Sequence, residues 1–147
     1  MPAEFDRDLT FARQELDAAR RELLPVVGAL SDADLDRARR GGWAVRRVLE
    51  HVIESEWLYA SLVAHLRGAP APGDVVSGGP SSSAEAAQRL DASRRALLAA
   101  LDGVDEESFY RLSAVGHEEY SIISVLENTA NHDREHAGQV QAILASG

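Results

Sequence analysis

The chain has 147 residues, no cysteine, 15 basic against 24 acidic side chains and a formal net charge of −9. That length fits a single domain over residues 1–147, able to bury a core without covalent staples, and the missing cysteines exclude disulfides, cysteine-held zinc and cysteine nucleophiles. The charge repels phosphate backbones and the basic residues, all arginine, are interleaved with acids, so no nucleic-acid partner is expected.

The opening Met1-Pro2-Ala3-Glu4-Phe5-Asp6 has neither the basic end nor the apolar stretch of a signal peptide. No apolar run reaches the length of a bilayer span. The expectation is a cytoplasmic protein with no membrane partner.

From the N-terminus onward, apolar residues recur at threes and fours, and strand-like alternation is confined to Asp74-Val75-Val76 inside a loop. A first helix over about residues 6–30 carries Leu9, Ala12, Arg13, Leu16, Ala19, Leu23 and Val27 on its stripe, with Pro25 late enough to bend or shorten it. Ser31-Asp32-Ala33-Asp34 has a capping pattern for one short turn before the Gly41-Gly42 break. A second helix covers about residues 44–66. Residues 68–82, rich in Gly and Pro, form a long crossover loop to the third helix, with a mobile lid as the alternative to a plain linker. Ser82-Ser83-Ala84-Glu85 is a capping box opening a third helix that ends near Leu101. Residues 102–119 are irregular and acidic, and a fourth helix spans about residues 121–145. The fold class is therefore all-α, a four-helix bundle, with function expected between facing helices.

The fourth helix holds the strongest chemical signal. In Asn131-His132-Asp133-Arg134-Glu135-His136 two histidines stand one turn apart on one face. At about 100° per residue, Ile122, Val125, Leu126, Thr129, Val140, Ile143 and Leu144 share a side, with His136 inside that stripe, His132 on its flank and Asp133 pointing inward. An inward carboxylate is costly unless an ion or donor meets it. On the second helix Val45, Val48, Leu49, Val52, Tyr59 and Val63 mark the buried face, Glu56 lies near its centre, and His51 lies at its margin with Ser55, Leu58 and Leu62. Three imidazoles with one vacant position describe a catalytic metal site.

Blander readings of the same letters stand open. Surface helices carry histidine pairs freely, and His51 alone reads as a hydrogen-bonded, partly buried residue. Asp133 and Glu56 have inward arginines such as Arg13 as alternative partners. His65 reads as a surface residue complementing the helix dipole, and His117 has no assigned place. Two metal motifs are excluded by spacing: a zincin needs Glu directly after the first His, where Asp133 stands, and di-iron bundles need two Glu-x-x-His units, of which none is present.

The stretch Trp43-Ala44-Val45-Arg46-Arg47-Val48-Leu49-Glu50-His51 resembles the tryptophan-led start of the second helix in the DinB/YfiT-like superfamily. The run from Asn131 to Val140 resembles its closing motif. The resemblance implies a four-helix bundle, often a homodimer, with His51, His132 and His136 as ligands of a divalent metal, nickel or zinc. It also implies the activities of characterised relatives, which include thiol S-transferases using bacillithiol or mycothiol and a mycothiol-dependent maleylpyruvate isomerase. Three positions depart from the family pattern: Ala44 stands for the usual Ser, Ala137 for a frequent Arg and Asn128 for a frequent His. These leave the triad intact.

The expectation is a metal-dependent enzyme acting on a small molecule, either an S-transferase with a low-molecular-weight thiol as cosubstrate or a hydrolase. Asp133 or Glu56 would orient a ligand imidazole or accept the proton. The alternatives are a non-catalytic metal-binding scaffold and a metal-free bundle holding a small apolar ligand.

Overall fold

The computed structural model describes residues 3–73 and 77–146, so Met1-Pro2 and the Asp74-Val75-Val76 alternation lie outside the described residues. Helix α1, Glu4–Gly28, carries Glu4 and Asp6 in its first turn, where they complement the positive end of the dipole. It continues through Pro25 and buries Leu23 and Val27 on either side of it. Its inward arginine is Arg20, 6% exposed, and not Arg13, which faces solvent. The cause is phase: Arg20 lies four residues after Leu16 and three before Leu23, on the centre of the stripe.

A single 3-10 turn, Ala33–Asp36, follows. It is opened by reciprocal bonds in which the Ser31 N–H donates to Asp34 Oδ2 and the Asp34 N–H donates to Ser31 Oγ. Helix α2, Val45–Leu66, begins at Ala44 without a side-chain cap. The Val45 N–H instead donates to the Arg37 carbonyl at 2.9 Å, beside an antiparallel bridge between Ala38 and Ala44. Helix α3, Ser83–Leu101, is capped by the Ser82 hydroxyl, which accepts from the Glu85 N–H.

Residues 102–119, expected to be irregular, contain a short helix α4, Glu106–Tyr110, and most of a hairpin, β1 Ser113–Val115 and β2 Glu118–Tyr120. Ser113 pairs with Tyr120 and Val115 with Glu118. The turn is Gly116-His117, with Gly116 at φ 65°, the glycine-first arrangement of a type II′ hairpin. Phe109 of α4 is fully buried and meets Phe5 edge to face. Helix α5, Ile122–Ala145, opens with a capping box between Ser121 and Ser124.

Cross-helix bonds fix the helix directions. Asp8 near the start of α1 accepts from Tyr110, and Val27 near its end accepts from Ser83 at the start of α3, so α1 and α3 are antiparallel. Arg46 donates to Pro80, Arg94 to Glu56, and Arg67 to Ala100, so α2 and α3 run parallel as neighbours. Parallel neighbours require the connecting chain to return along the bundle. The 22 residues of α2 rise about 33 Å, so the long crossover between the second and third helices is a topological necessity. At its far end Gly79 lies so close to Arg46 that a Cβ there would sit 2.7 Å from Arg46 Cγ, so a larger residue would have to push the Arg46 side chain aside.

The core divides in two. One apolar cluster gathers Leu16, Ala60, Val63, Leu97, Phe109, Val125 and Leu126, and the other gathers Leu23, Val27, Val48, Val52, Ile53, Leu90 and Val140. Between them lie Arg20, Glu56, Arg94 and Asp133, one charged side chain from each long helix, all buried. No helix among the described residues is long and apolar enough to cross a membrane.

Candidate metal centre

Helix α2 presents His51 one turn and a half after its start, and antiparallel α5 presents His132 and His136 toward it. Their ligand atoms all lie within 4.8 Å of one another. His132 Nε2 stands 3.1 Å from His51 Nε2 and 2.9 Å from His136 Nε2. An Nε2 atom carries either one N–H or one lone pair, so it is not equipped for two such contacts as ordinary hydrogen bonds. Nitrogens bound to one cation at about 2.0–2.1 Å, with angles between octahedral and tetrahedral, stand about 2.9–3.4 Å apart. Two of the three nitrogen spacings fall in that range and all three atoms lie within 4.8 Å of one another, so the donor set could hold a single divalent ion.

The protonation states suit that use. Burial, reinforced by His136 and His51, lowers the pKa of His132 to about 4, so its lone pair is free at neutral pH. Burial, followed by His136 and Arg47, also lowers His51. The Gln139 amide oxygen accepts from His136 Nδ1 at 2.6 Å, which leaves the lone pair on Nε2, aimed at the other two imidazoles. Trp43 meets His51 edge to face with ring centroids 5.4 Å apart, while the Arg47 guanidinium lies over the indole. Tyr59 approaches His132 at 6.0 Å between centroids.

The cluster is open on one side. Gly41, Gly42, Trp43, His51, Glu135, His136 and Gln139 line a concavity that reaches solvent. Glu135, exposed on this wall, is a carboxylate within electrostatic reach of His51 and His132.

Glu56 and Asp133, the carboxylates expected to orient an imidazole or accept a proton, are engaged elsewhere. Glu56 accepts from Arg20, Arg94 Nε and the Ser93 hydroxyl. Asp133 accepts from Arg20 Nε and Arg94 Nη2, each at 2.9 Å. Neither carboxylate has a hydrogen bond to a histidine among the described residues. The arginine partners are Arg20 and Arg94, not Arg13. The orienting contact falls to Gln139, three residues after His136 on α5, a residue the sequence reading did not single out although an i, i+3 spacing puts it beside His136 on the helix. His65 is an exposed residue of the last turn of α2. His117 sits exposed in the hairpin turn, outside the histidine cluster.

A sequence model described as the DinB superfamily matches residues 15–140. Among solved structures, a crystal structure of TT2238, a four-helix bundle protein, is 25% identical, covers 90% of this chain and 96% of its own, and superposes with a TM-score of 0.69. A DinB-like protein from Bacillus cereus ATCC 10987 is 17% identical, covers 95% of this chain and 89% of its own, and has a TM-score of 0.70. A search of curated proteins gives no match.

Proposed function

The chain belongs to the DinB superfamily, and from that membership and the histidine geometry we propose that it is a metal-dependent enzyme. In this reading His51, His132 and His136 hold one nickel or zinc ion, and the substrate is a small molecule. The observation that carries the reading is the position of His132 Nε2, 3.1 and 2.9 Å from its two counterparts. Bound there, the ion would act as a Lewis acid that eases deprotonation of a thiol or a water.

The reaction we favour is transfer of a low-molecular-weight thiol to an electrophile. A thiol loses its proton at about pH 8.5 and bulk water at about 15.7, so a thiol asks much less of the site. That difference matters because Glu56 and Asp133 are closed off by arginines. Glu135, on the cleft wall, takes the proton in their place. Gln139 keeps His136 in the ligating tautomer, and Trp43 with Gly41 and Gly42 walls one side of the reacting groups.

Elemental analysis of protein purified without a metal-affinity tag should find about one nickel or zinc per chain, and His51→Ala with His136→Ala should abolish it. Metal retained by that folded double variant would sink the ligand assignment. A panel of low-molecular-weight thiols with an electrophilic acceptor should show turnover only in metal-loaded protein. Turnover without thiol would make it a hydrolase, and bound metal without either reaction would make it a non-catalytic scaffold.

A further inference from the structure

Beside the histidine cleft lies a second concavity, lined by Arg37, Ala38, Arg39, Arg40, Ile143 and Ser146. Among the described residues no carboxylate side chain lines it. Arg37 is committed, donating to the Leu144 carbonyl at 2.7 Å and pairing with Asp34. Arg39 and Arg40 are different: they have no ion-pair or hydrogen-bond partner for their guanidinium groups among the described residues. Both are exposed, and in a chain of net charge −9 two adjacent guanidinium groups with no carboxylate partner among the described residues offer an incoming anion a local positive charge.

The segment that carries them is built, not slack. The Gly42 N–H donates to the Arg39 carbonyl at 2.8 Å, Gly41 takes φ 77°, and the Ala38 to Ala44 bridge closes the loop. Its next three residues, Gly41, Gly42 and Trp43, wall the histidine cleft. Along α5 the two concavities are consecutive, His136 and Gln139 facing the first, Ile143 and Ser146 the second. From residue 136 to 143 the helix rises about 10 Å.

We infer that Arg39 and Arg40 form an anion subsite continuous with the histidine cleft, and that the ligand of that cleft carries a carboxylate or phosphate about 10 Å from the group placed at the histidines. The spanning part rests on the metal-site reading above, whereas the anion subsite does not. Planar guanidinium forks suit both carboxylate and phosphate oxygens.

The test is a titration of the full chain with inorganic phosphate and, separately, with succinate, at low ionic strength, followed by the backbone amide shifts of Gly41 and Gly42. Wild type should give saturable shifts, and Arg39→Gln with Arg40→Gln should weaken them at least about tenfold. A matching response to sodium chloride, shifts that do not saturate, or equal binding by the variant would overturn the subsite. Saturation by phosphate alone or by succinate alone identifies the anion class. His51→Ala with His136→Ala should keep the response, so loss of metal binding with retained shifts would fail only the metal reading. In cobalt-loaded protein, phosphorus relaxation should place phosphate about 10 Å from the ion. Phosphate in direct contact with the cobalt would overturn the spanning ligand, and a failure to bind cobalt would fail the metal reading while the amide titration still decided the subsite.

Discussion

At the residue scale the site turns on which atom of each imidazole faces inward. Gln139 settles this for His136 by accepting from Nδ1, so Gln139→Leu, which removes the acceptor and keeps the bulk, should weaken metal affinity about 10–100-fold. A competition titration against a chromophoric chelator reads that change, and denaturation of the metal-free variant should match wild type within about 1 kcal/mol. Unchanged affinity would remove Gln139 from the site. The His132/His136 pair and the tryptophan-led run to His51 were legible as spacing and motif. The duties of the acids were not: Asp133 and Glu56 were correctly phased inward, yet their partners lie on α1 and α3, far away in sequence. Glu135, two residues after Asp133, lies instead on the cleft wall.

At the element scale, α2 shows how a loop replaces a cap. With alanine at the cap position, Val45 gives its N–H to Arg37, and the following N–H groups lack a side-chain acceptor. Ala44→Ser should add about 0.5–1 kcal/mol, measured by urea denaturation, without changing metal stoichiometry. A loss of stability would mean that the Ala38 to Ala44 bridge cannot accommodate the hydroxyl. The four long helices were readable because each repeats its apolar spacing over several turns. The hairpin was not, since strands of three residues, Ser113–Val115 and Glu118–Tyr120, are too short to display alternation.

At the scale of the whole molecule, the charged layer of Arg20, Glu56, Arg94 and Asp133 joins all four long helices between two apolar clusters. Removing one partner strands the others, so Arg94→Met should cost about 3–5 kcal/mol, whereas replacing all four by apolar residues of similar volume should leave stability equal or up to about 4 kcal/mol higher. Burial pushes the Glu56 carboxyl up, but Arg20 and Arg94 outweigh it and hold its pKa below the ordinary 4.5. A carboxyl lowered on folding stabilises fully above its unfolded value, and the contribution is lost as pH falls through the folded value. Wild type should therefore lose stability below about pH 4.5 more steeply than the fourfold apolar variant, as chemical denaturation across pH would show. Equal acid sensitivity of the two proteins, or an Arg94→Met cost under about 1 kcal/mol, would contradict this account. The long helices, the breaker-rich crossover and the histidine spacing are legible from the chain alone, because each is written in residues near one another. The parallel course of α2 and α3, the joining of the inward acids to Arg20 and Arg94, and the placing of Arg39 and Arg40 beside the histidine cleft emerge only on folding. Those depend on which side chains four separate helices bring within a few ångströms, and no local period encodes that.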